Sequence, residues 1–145
     1  MRFFVAGVPA PQGSKRHVGR GVLIESSKQL KPWREDIRQS ALGALGRDYA
    51  FPDGPVGVSL LFWLPRPKSH PKTRRTLPTT RPDIDKLARA VLDALTSAGI
   101  YGDDSQVTWL VLEKRYVHPP ALASDDEPAA PGVDISITAP EAPRV

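Results

Sequence analysis

The sequence predicts an α/β domain of the α+β kind, in which two main helices pack on a single small mixed sheet. Two segments carry apolar residues at helical spacing, and a larger number of short segments have strand-like patterns. Prolines, which make up 16 of the 145 residues, separate these segments. A chain of this length suits one domain that buries its own core.

The first half of the chain contains three predicted strands and one predicted helix. Residues 2–8 predict a strand, residues 9–20 a basic loop, and residues 21–25 a short strand. Residues 32–46 place Trp33, Ile37 and Ala41 on one stripe and predict a helix with Pro32 at its first position. The apolar run over residues 56–64 predicts another strand, and a basic loop follows over residues 65–81.

The second half adds one helix and two strands. Residues 83–98 place Leu87, Val91 and Leu95 at helical spacing, and Gly99 predicts where the helix ends. Residues 106–117 and 133–138 alternate and predict strands. We therefore expect a body over residues 1–120, an acidic proline-rich loop over 121–132, a final strand of the same domain over 133–139, and a tail over 140–145.

Charge and composition narrow the function classes. The net charge is +4, but residues 1–120 carry +8 and residues 121–145 carry −4. A basic body favours a polyanionic partner, with nucleic acid first, although basic charge can also serve solubility alone. The absence of cysteine excludes disulfides and thiolate chemistry. No signal peptide, membrane-spanning run or small-molecule cofactor fingerprint is recognisable, so we expect a cytoplasmic protein with no membrane partner.

Four carboxylates that lie close together in the sequence are the strongest indication of a functional site. Asp83 and Asp85 stand two residues apart at a predicted helix start, and Asp103 and Asp104 lie in the loop after that helix. Helix capping is the alternative explanation for the first pair, and a turn is the alternative for the second. The spacing leaves open how the pairs could meet. Either the chain crosses back, or a dimer partner supplies one side.

Carboxylates within a basic protein suggest metal-dependent chemistry. Carboxylate oxygens suit Mg²⁺ or Mn²⁺, and such a cation reverses the repulsion between an acid and a phosphate. We therefore expect phosphodiester chemistry with Mg²⁺ or Mn²⁺.

Basic side chains close to these acids predict a nucleic-acid surface that contacts phosphates. Their alternative role is in a solvated loop or a basic turn. The predicted nucleic-acid-binding residues are Lys15, Arg16, Arg20, Lys68, Lys72, Arg74, Arg75, Arg81 and Lys86. The isolated His17, His70 and His118 are expected at the surface, and Trp33, Trp63 and Trp109 are expected in the core.

Three motifs resemble the RusA family of Holliday junction resolvases, which are often encoded by phages or prophages. They are Arg81-Pro-Asp83-Ile-Asp85-Lys-Leu-Ala-Arg89, Asp93-Ala-Leu95, and Asp103-Asp104-Ser-Gln106-Val107. The opening Gly7-Val-Pro-Ala-Pro-Gln-Gly-Ser-Lys15-Arg16 is also similar to the start of RusA-like proteins. The resemblance extends from residue 2 to about residue 117.

The resemblance implies a homodimeric endodeoxyribonuclease that uses Mg²⁺ or Mn²⁺. Asp83, Asp85 and Asp104 would be the metal-binding, catalytic carboxylates, with Asp103 as a further metal ligand. Arg89 stands where the family often has Lys and would stabilise transition-state charge. Lys86 stands where the family often has Asn.

The implied reaction is the resolution of four-way DNA junctions by paired symmetric nicks. These nicks would leave 5′-phosphate and 3′-hydroxyl ends, in DNA recombination and repair within a bacterial or phage-infected cell. The alternative is a module of the same fold that binds branched nucleic acid without cutting it.

Overall fold

The computed structural model describes residues 1–13, 15–17, 23–25, 28–47, 49 and 52–140. One four-stranded mixed sheet and two helices confirm the predicted fold class. In chain order the elements are β1 (Arg2–Ala6), β2 (Lys15–His17), β3 (Leu23–Glu25), α1 (Leu30–Ala44), β4 (Val56–Leu64), α2 (Ile84–Ser97), one 3₁₀ turn (Asp104–Gln106), β5 (Val107–Tyr116) and β6 (Gly132–Thr138).

The main sheet has the strand order β1-β6-β4-β5. β4 is parallel to β5, whereas β6 is antiparallel to both β1 and β4. A separate antiparallel pair joins β2 to β3. β2 occupies part of the predicted basic loop, so that prediction was wrong over three residues. A short basic strand has no apolar alternation that could reveal it. Residues 21 and 22 of the predicted short strand lie outside the described residues.

Helix α2 connects the parallel strands β4 and β5 and therefore runs in the opposite direction to both. Its first turn lies near the end of β5, because Lys114 Nζ donates hydrogen bonds to the carbonyl oxygens of Thr80 and Pro82, each at 2.9 Å. Its last turns lie near the chain that leads into β5, because the Tyr101 hydroxyl donates to the Leu92 carbonyl at 3.1 Å. Opposite ends of α2 thus face opposite ends of β5.

The predicted end of α2 is confirmed in detail. Gly99 has a φ of +75°, and its N–H donates to the Thr96 carbonyl, while the Ile100 N–H donates to the Leu95 carbonyl. This pair of bonds satisfies carbonyls that the helix leaves free, and the positive φ favours glycine. The turn directs the chain toward Asp103 and Asp104.

The core lies between the helices and one face of the sheet. Its side chains include Ile37 from α1, Val58, Leu60 and Phe62 from β4, Leu87, Val91 and Leu95 from α2, and Ile135 from β6. Trp33 and Trp63 are buried as predicted, but Trp109 is 52% exposed because β5 is an edge strand. His118 was expected at the surface and is buried, because the loop before α2 packs over it. No helix in the described part of the chain has the length and apolar character to cross a membrane.

Candidate metal and DNA-binding site

The first turn of α2 presents two carboxylates. Asp83 is the N-cap residue with extended backbone angles, and Asp85 lies in the first turn. Both side chains are exposed, and the Asp83 carboxylate makes no capping hydrogen bond to the helix backbone. Capping therefore does not account for Asp83, and its oxygens face solvent, where they are accessible to a ligand.

Cations surround this first turn. Lys86 Nζ lies 3.6 Å from Asp83 Oδ2. Lys114 Nζ donates to the carbonyls of Thr80 and Pro82, so it fixes the chain that leads into the helix. Lys114 was not among the predicted site residues. Its signal is that this lysine shares the helix-facing side of β5 with Leu112 and Tyr116.

The segment after β1 lies along the exposed side of α2. The Gln12 N–H donates to the Lys86 carbonyl at 3.0 Å, and the Gln12 side chain donates to the Asp93 carboxylate. Gly13 has a φ of +100°, and a Cβ there would stand 2.7 Å from Nη1 of Arg89. The Arg89 guanidinium therefore packs against the backbone at Gly13, where the positive φ favours glycine. Arg89 is exposed and lies one turn after Asp85.

Asp103 and Asp104 lie at the other end of α2. The Ser105 hydroxyl donates to the Asp103 carboxylate, and this bond holds the pKa of Asp103 below its usual value. The Gln106 side chain accepts the Asp103 N–H at 3.1 Å. Asp103 thus serves the turn that the alternative interpretation predicted, while Asp104 is exposed. Burial, followed by the negative charges of the nearby Asp104, Asp93 and Asp103, raises the pKa of Tyr101.

One protomer does not bring the two acidic pairs together. Helix α2 has 14 residues, which is about 21 Å at 1.5 Å per residue. Among the described residues, no group of three or more His, Asp or Glu could hold a metal ion. Asp83 and Asp85 stand at one end of α2, and Asp103 and Asp104 stand near the other.

The predicted nucleic-acid-binding residues between β4 and α2 form an exposed basic surface. Lys68, Lys72, Arg74, Arg75 and Arg81 are all exposed. The loop that carries them is braced, because Arg66 Nη2 donates to the Arg74 carbonyl at 2.8 Å. Lys68 and Lys72 line a groove with His70.

Arg75 is already bound within the protein. Its guanidinium donates to the Leu122 carbonyl at 2.9 Å and forms an ion pair with Glu127. The acidic proline-rich loop thus holds the basic loop in place. Of the remaining predicted contacts, Arg20 and the side chains of Lys15 and Arg16 lie outside what the structure describes.

The imidazole of His118 supports the same loop from beneath. Its Nε2 accepts the Thr76 N–H at 3.2 Å, and His70 Nδ1 lies 3.0 Å from the Thr76 hydroxyl. Burial, together with the charges of Arg75 and Arg66, lowers the pKa of His118. His118 therefore positions the basic loop through the hydrogen bond that it accepts from Thr76.

The α+β fold, the acidic helix start and the basic surface beside it are features that suit a protein acting on nucleic acid. The family model described as "Endodeoxyribonuclease RusA" matches residues 6–123. The chain therefore belongs to the RusA family of endodeoxyribonucleases, as its motifs predicted. It is also similar to "Uncharacterized protein YqaN" of Bacillus subtilis (strain 168), with 30% identity over 131 residues that cover 84% of this chain and 92% of the relative.

Proposed function

We propose that the protein is a structure-specific, divalent-cation-dependent endonuclease that resolves four-way DNA junctions in recombination and repair. Two symmetric nicks would leave 5′-phosphate and 3′-hydroxyl ends. The main observation in support of this proposal is the environment of the Asp83 carboxylate. Its carboxylate stands exposed beside Asp85, makes no capping bond, and is surrounded by cations that attract phosphate.

The donor atoms of this site fit Mg²⁺ or Mn²⁺, which prefer carboxylate oxygens. One protomer, however, supplies just two of the predicted ligands, Asp83 and Asp85, at this end of α2. A homodimer can supply the rest. We therefore assign Asp83 and Asp85 of one protomer and Asp104 of a second protomer to one cation site, with Asp103 beside it.

Each side chain then has a distinct role. A divalent cation held here would supply activation of a water molecule and would offset the charge on the leaving 3′ oxygen. Asp83 and Asp85 would hold the cation, while Arg89 would stabilise charge on the phosphate in the transition state. Lys86 balances the charge of Asp83 before DNA binds.

The remaining basic residues position the DNA. Lys68, Lys72 and Arg81 contact phosphates of the junction arms without reading base sequence. A dimer with two-fold symmetry carries two equivalent sites, which suits paired nicks in a junction that is itself nearly two-fold symmetric.

The test is Asp83→Asn, with Asp125→Asn in the acidic loop as a matched control. Both side chains are exposed, and both variants lose one negative charge. We expect Asp83→Asn to abolish junction cleavage while junction binding stays equal or becomes tighter, and we expect the control to cut normally. Cleavage by Asp83→Asn at the wild-type rate would remove Asp83 from the site.

A further inference from the structure

Two of the sequence motifs have no role in the proposed cation site, and the structure joins them to each other. They are the opening segment, residues 7–16, and Asp93-Ala-Leu95. The Gln12 side chain donates a hydrogen bond from Nε2 to the Asp93 carboxylate, across 81 positions of the chain. The Gln12 backbone N–H donates to the Lys86 carbonyl at 3.0 Å. The opening segment is therefore held on α2 at two points, seven residues apart, which is about 10 Å along the helix.

Arg89 lies between these two points on the same face of α2. Lys86, Arg89 and Asp93 follow one another at spacings of three and four residues, which places them on one stripe of the helix. The chain at residues 12 and 13 lies along this stripe, and a Cβ on Gly13 would stand 2.7 Å from Nη1 of Arg89. The backbone at Gly13 therefore borders the Arg89 guanidinium and limits the positions that this long side chain can take.

Asp93 is also placed to compete for Arg89. An acidic and a basic side chain four residues apart on a helix commonly form an ion pair, and such a pair would draw the guanidinium away from Asp85. Within the residues that the structure describes, however, Arg89 forms no ion pair, and the Asp93 carboxylate is bound by Gln12. Gln12 thus occupies the carboxylate that would otherwise compete with a phosphate for Arg89.

The Gln12 amide has a single productive orientation. An ionised carboxylate only accepts hydrogen bonds, so Nε2 must face Asp93. Gln12 Oε1 is then buried, and it accepts no hydrogen bond from any residue that the structure describes. A buried acceptor without a donor lowers stability, and an apolar side chain at residue 12 would avoid that loss. The amide is therefore better explained by the carboxylate that it holds than by packing.

We propose that Gln12 and Asp93 are positioning residues for Arg89, an inference that rests on the proposed function. Their hydrogen bond keeps Asp93 from pairing with Arg89 and sets the backbone of Gly13 against the guanidinium. Arg89 then remains available to a phosphate, one turn after Asp85. In this role neither Gln12 nor Asp93 contacts DNA or the cation, and both act through the guanidinium.

An exchange of the two polar groups tests the inference. Gln12→Glu sets two carboxylates against each other and breaks the contact. Adding Asp93→Asn restores an amide opposite a carboxylate, with donor and acceptor exchanged and both side-chain lengths kept. The matched control is Gln39→Glu, because Gln39 Nε2 also donates to a carboxylate, that of Glu35 on α1, at 2.9 Å.

We expect the cleavage rate at saturating junction to fall at least about tenfold in Gln12→Glu, because a displaced guanidinium no longer meets the phosphate. Junction affinity should stay within about threefold of wild type, since Arg89 acts in the transition state. The double variant should recover most of the lost rate, and Gln39→Glu should cut as wild type does. A full rate in Gln12→Glu, or an equal loss in the control, would overturn the inference.

The NMR resonance of the Arg89 Nε–H gives a second readout that needs neither DNA nor a metal ion. We expect this resonance to shift in Gln12→Glu, to return in the double variant and to stay in place in Gln39→Glu. An unshifted resonance in Gln12→Glu would overturn the inference even if cleavage fell. A wild-type chain that shows these shifts but cuts no junctions would support the contact with Arg89 and contradict the proposed function. Junction cleavage that does not depend on Gln12 would do the reverse.

Discussion

A mixed dimer of Asp83→Asn and Asp104→Asn should recover activity that neither variant has alone. If each site combines residues from two protomers, both substitutions fall in the same site of the mixed dimer. The other site then contains an intact Asp83, Asp85 and Asp104. Each homodimer, in contrast, has two damaged sites.

The recovery of activity in the mixed dimer is expected because α2 separates the two acidic pairs within one protomer. Carboxylates that share a cation must place their oxygens within about 2–2.6 Å of it, whereas α2 has 14 residues, or about 21 Å. Within one protomer the two acidic pairs therefore stand at opposite ends of α2, and the described residues form no cluster of three carboxylates. A purified mixed dimer carries one intact site of two, so we expect about half the wild-type nicking rate and single nicks in place of paired ones.

The assay uses co-expressed chains with two different tags, purified in tandem, on a four-way junction labelled on opposite strands. The control is a mixed dimer of Asp83→Asn and Asp85→Asn, which has the same number of substitutions but leaves one in each site. We expect no cleavage from the control. If the Asp83→Asn and Asp104→Asn mixture is as inactive as the control, the two-protomer site is refuted.

Three further predictions concern the surroundings of the site. Replacing Lys68 and Lys72 by Ala should reduce the slope of log affinity against log salt by roughly two, measured by anisotropy with a labelled junction, and an unchanged slope would exclude them from the interface. Arg89→Lys keeps the charge beside Gly13, so we expect cleavage rates within about tenfold of wild type; a much larger loss would show that the planar guanidinium is required. Arg75 holds the pKa of Glu127 below its ordinary value of 4.5. This ion pair therefore stabilises the fold above that pH, and the stabilisation is lost as the pH falls through the lower pKa of the folded state. Glu127→Gln should therefore reduce the loss of thermal stability as the pH falls below about 4.5. An equal fall of the melting temperature with pH in the two proteins would contradict this.

Local patterns predicted the elements that position the site. The period of Leu87, Val91 and Leu95, with Gly99 after them, placed α2 within one residue at each end. The strand over residues 56–64 was predicted with its observed bounds. These segments are buried on a defined face, and burial of this kind leaves a period in the sequence.

Long-range pairing could not be predicted in the same way. Trp109 lies in an apolar run, but its exposure depends on β5 standing at the sheet edge, which is set by the order of strands from distant parts of the chain. His118 is an isolated histidine whose burial depends on the packing of the loop before α2. The contact of Lys114 with Pro82 likewise joins residues 32 positions apart.

In the candidate site too, local patterns were predictable from the sequence and long-range placement was not. The sequence singled out Asp83, Asp85, Asp103 and Asp104 because acids among basic residues are unusual in a protein that binds phosphates. The sequence did not predict whether the two carboxylate pairs lie close together, because spacing along the chain does not give the direction of α2 relative to β5. The parallel pairing of β4 and β5 supplies that direction and places the pairs at opposite ends.

Cleavage of a labelled four-way junction tests the central proposal most directly. The wild-type chain is incubated with junction or linear duplex, in Mg²⁺, in Mn²⁺ and in EDTA. We expect symmetric nicks in the junction with either metal, little cutting of the duplex, and no cutting in EDTA. Tight junction binding without cleavage under any metal would contradict it and would identify a protein that binds branched DNA without cutting it.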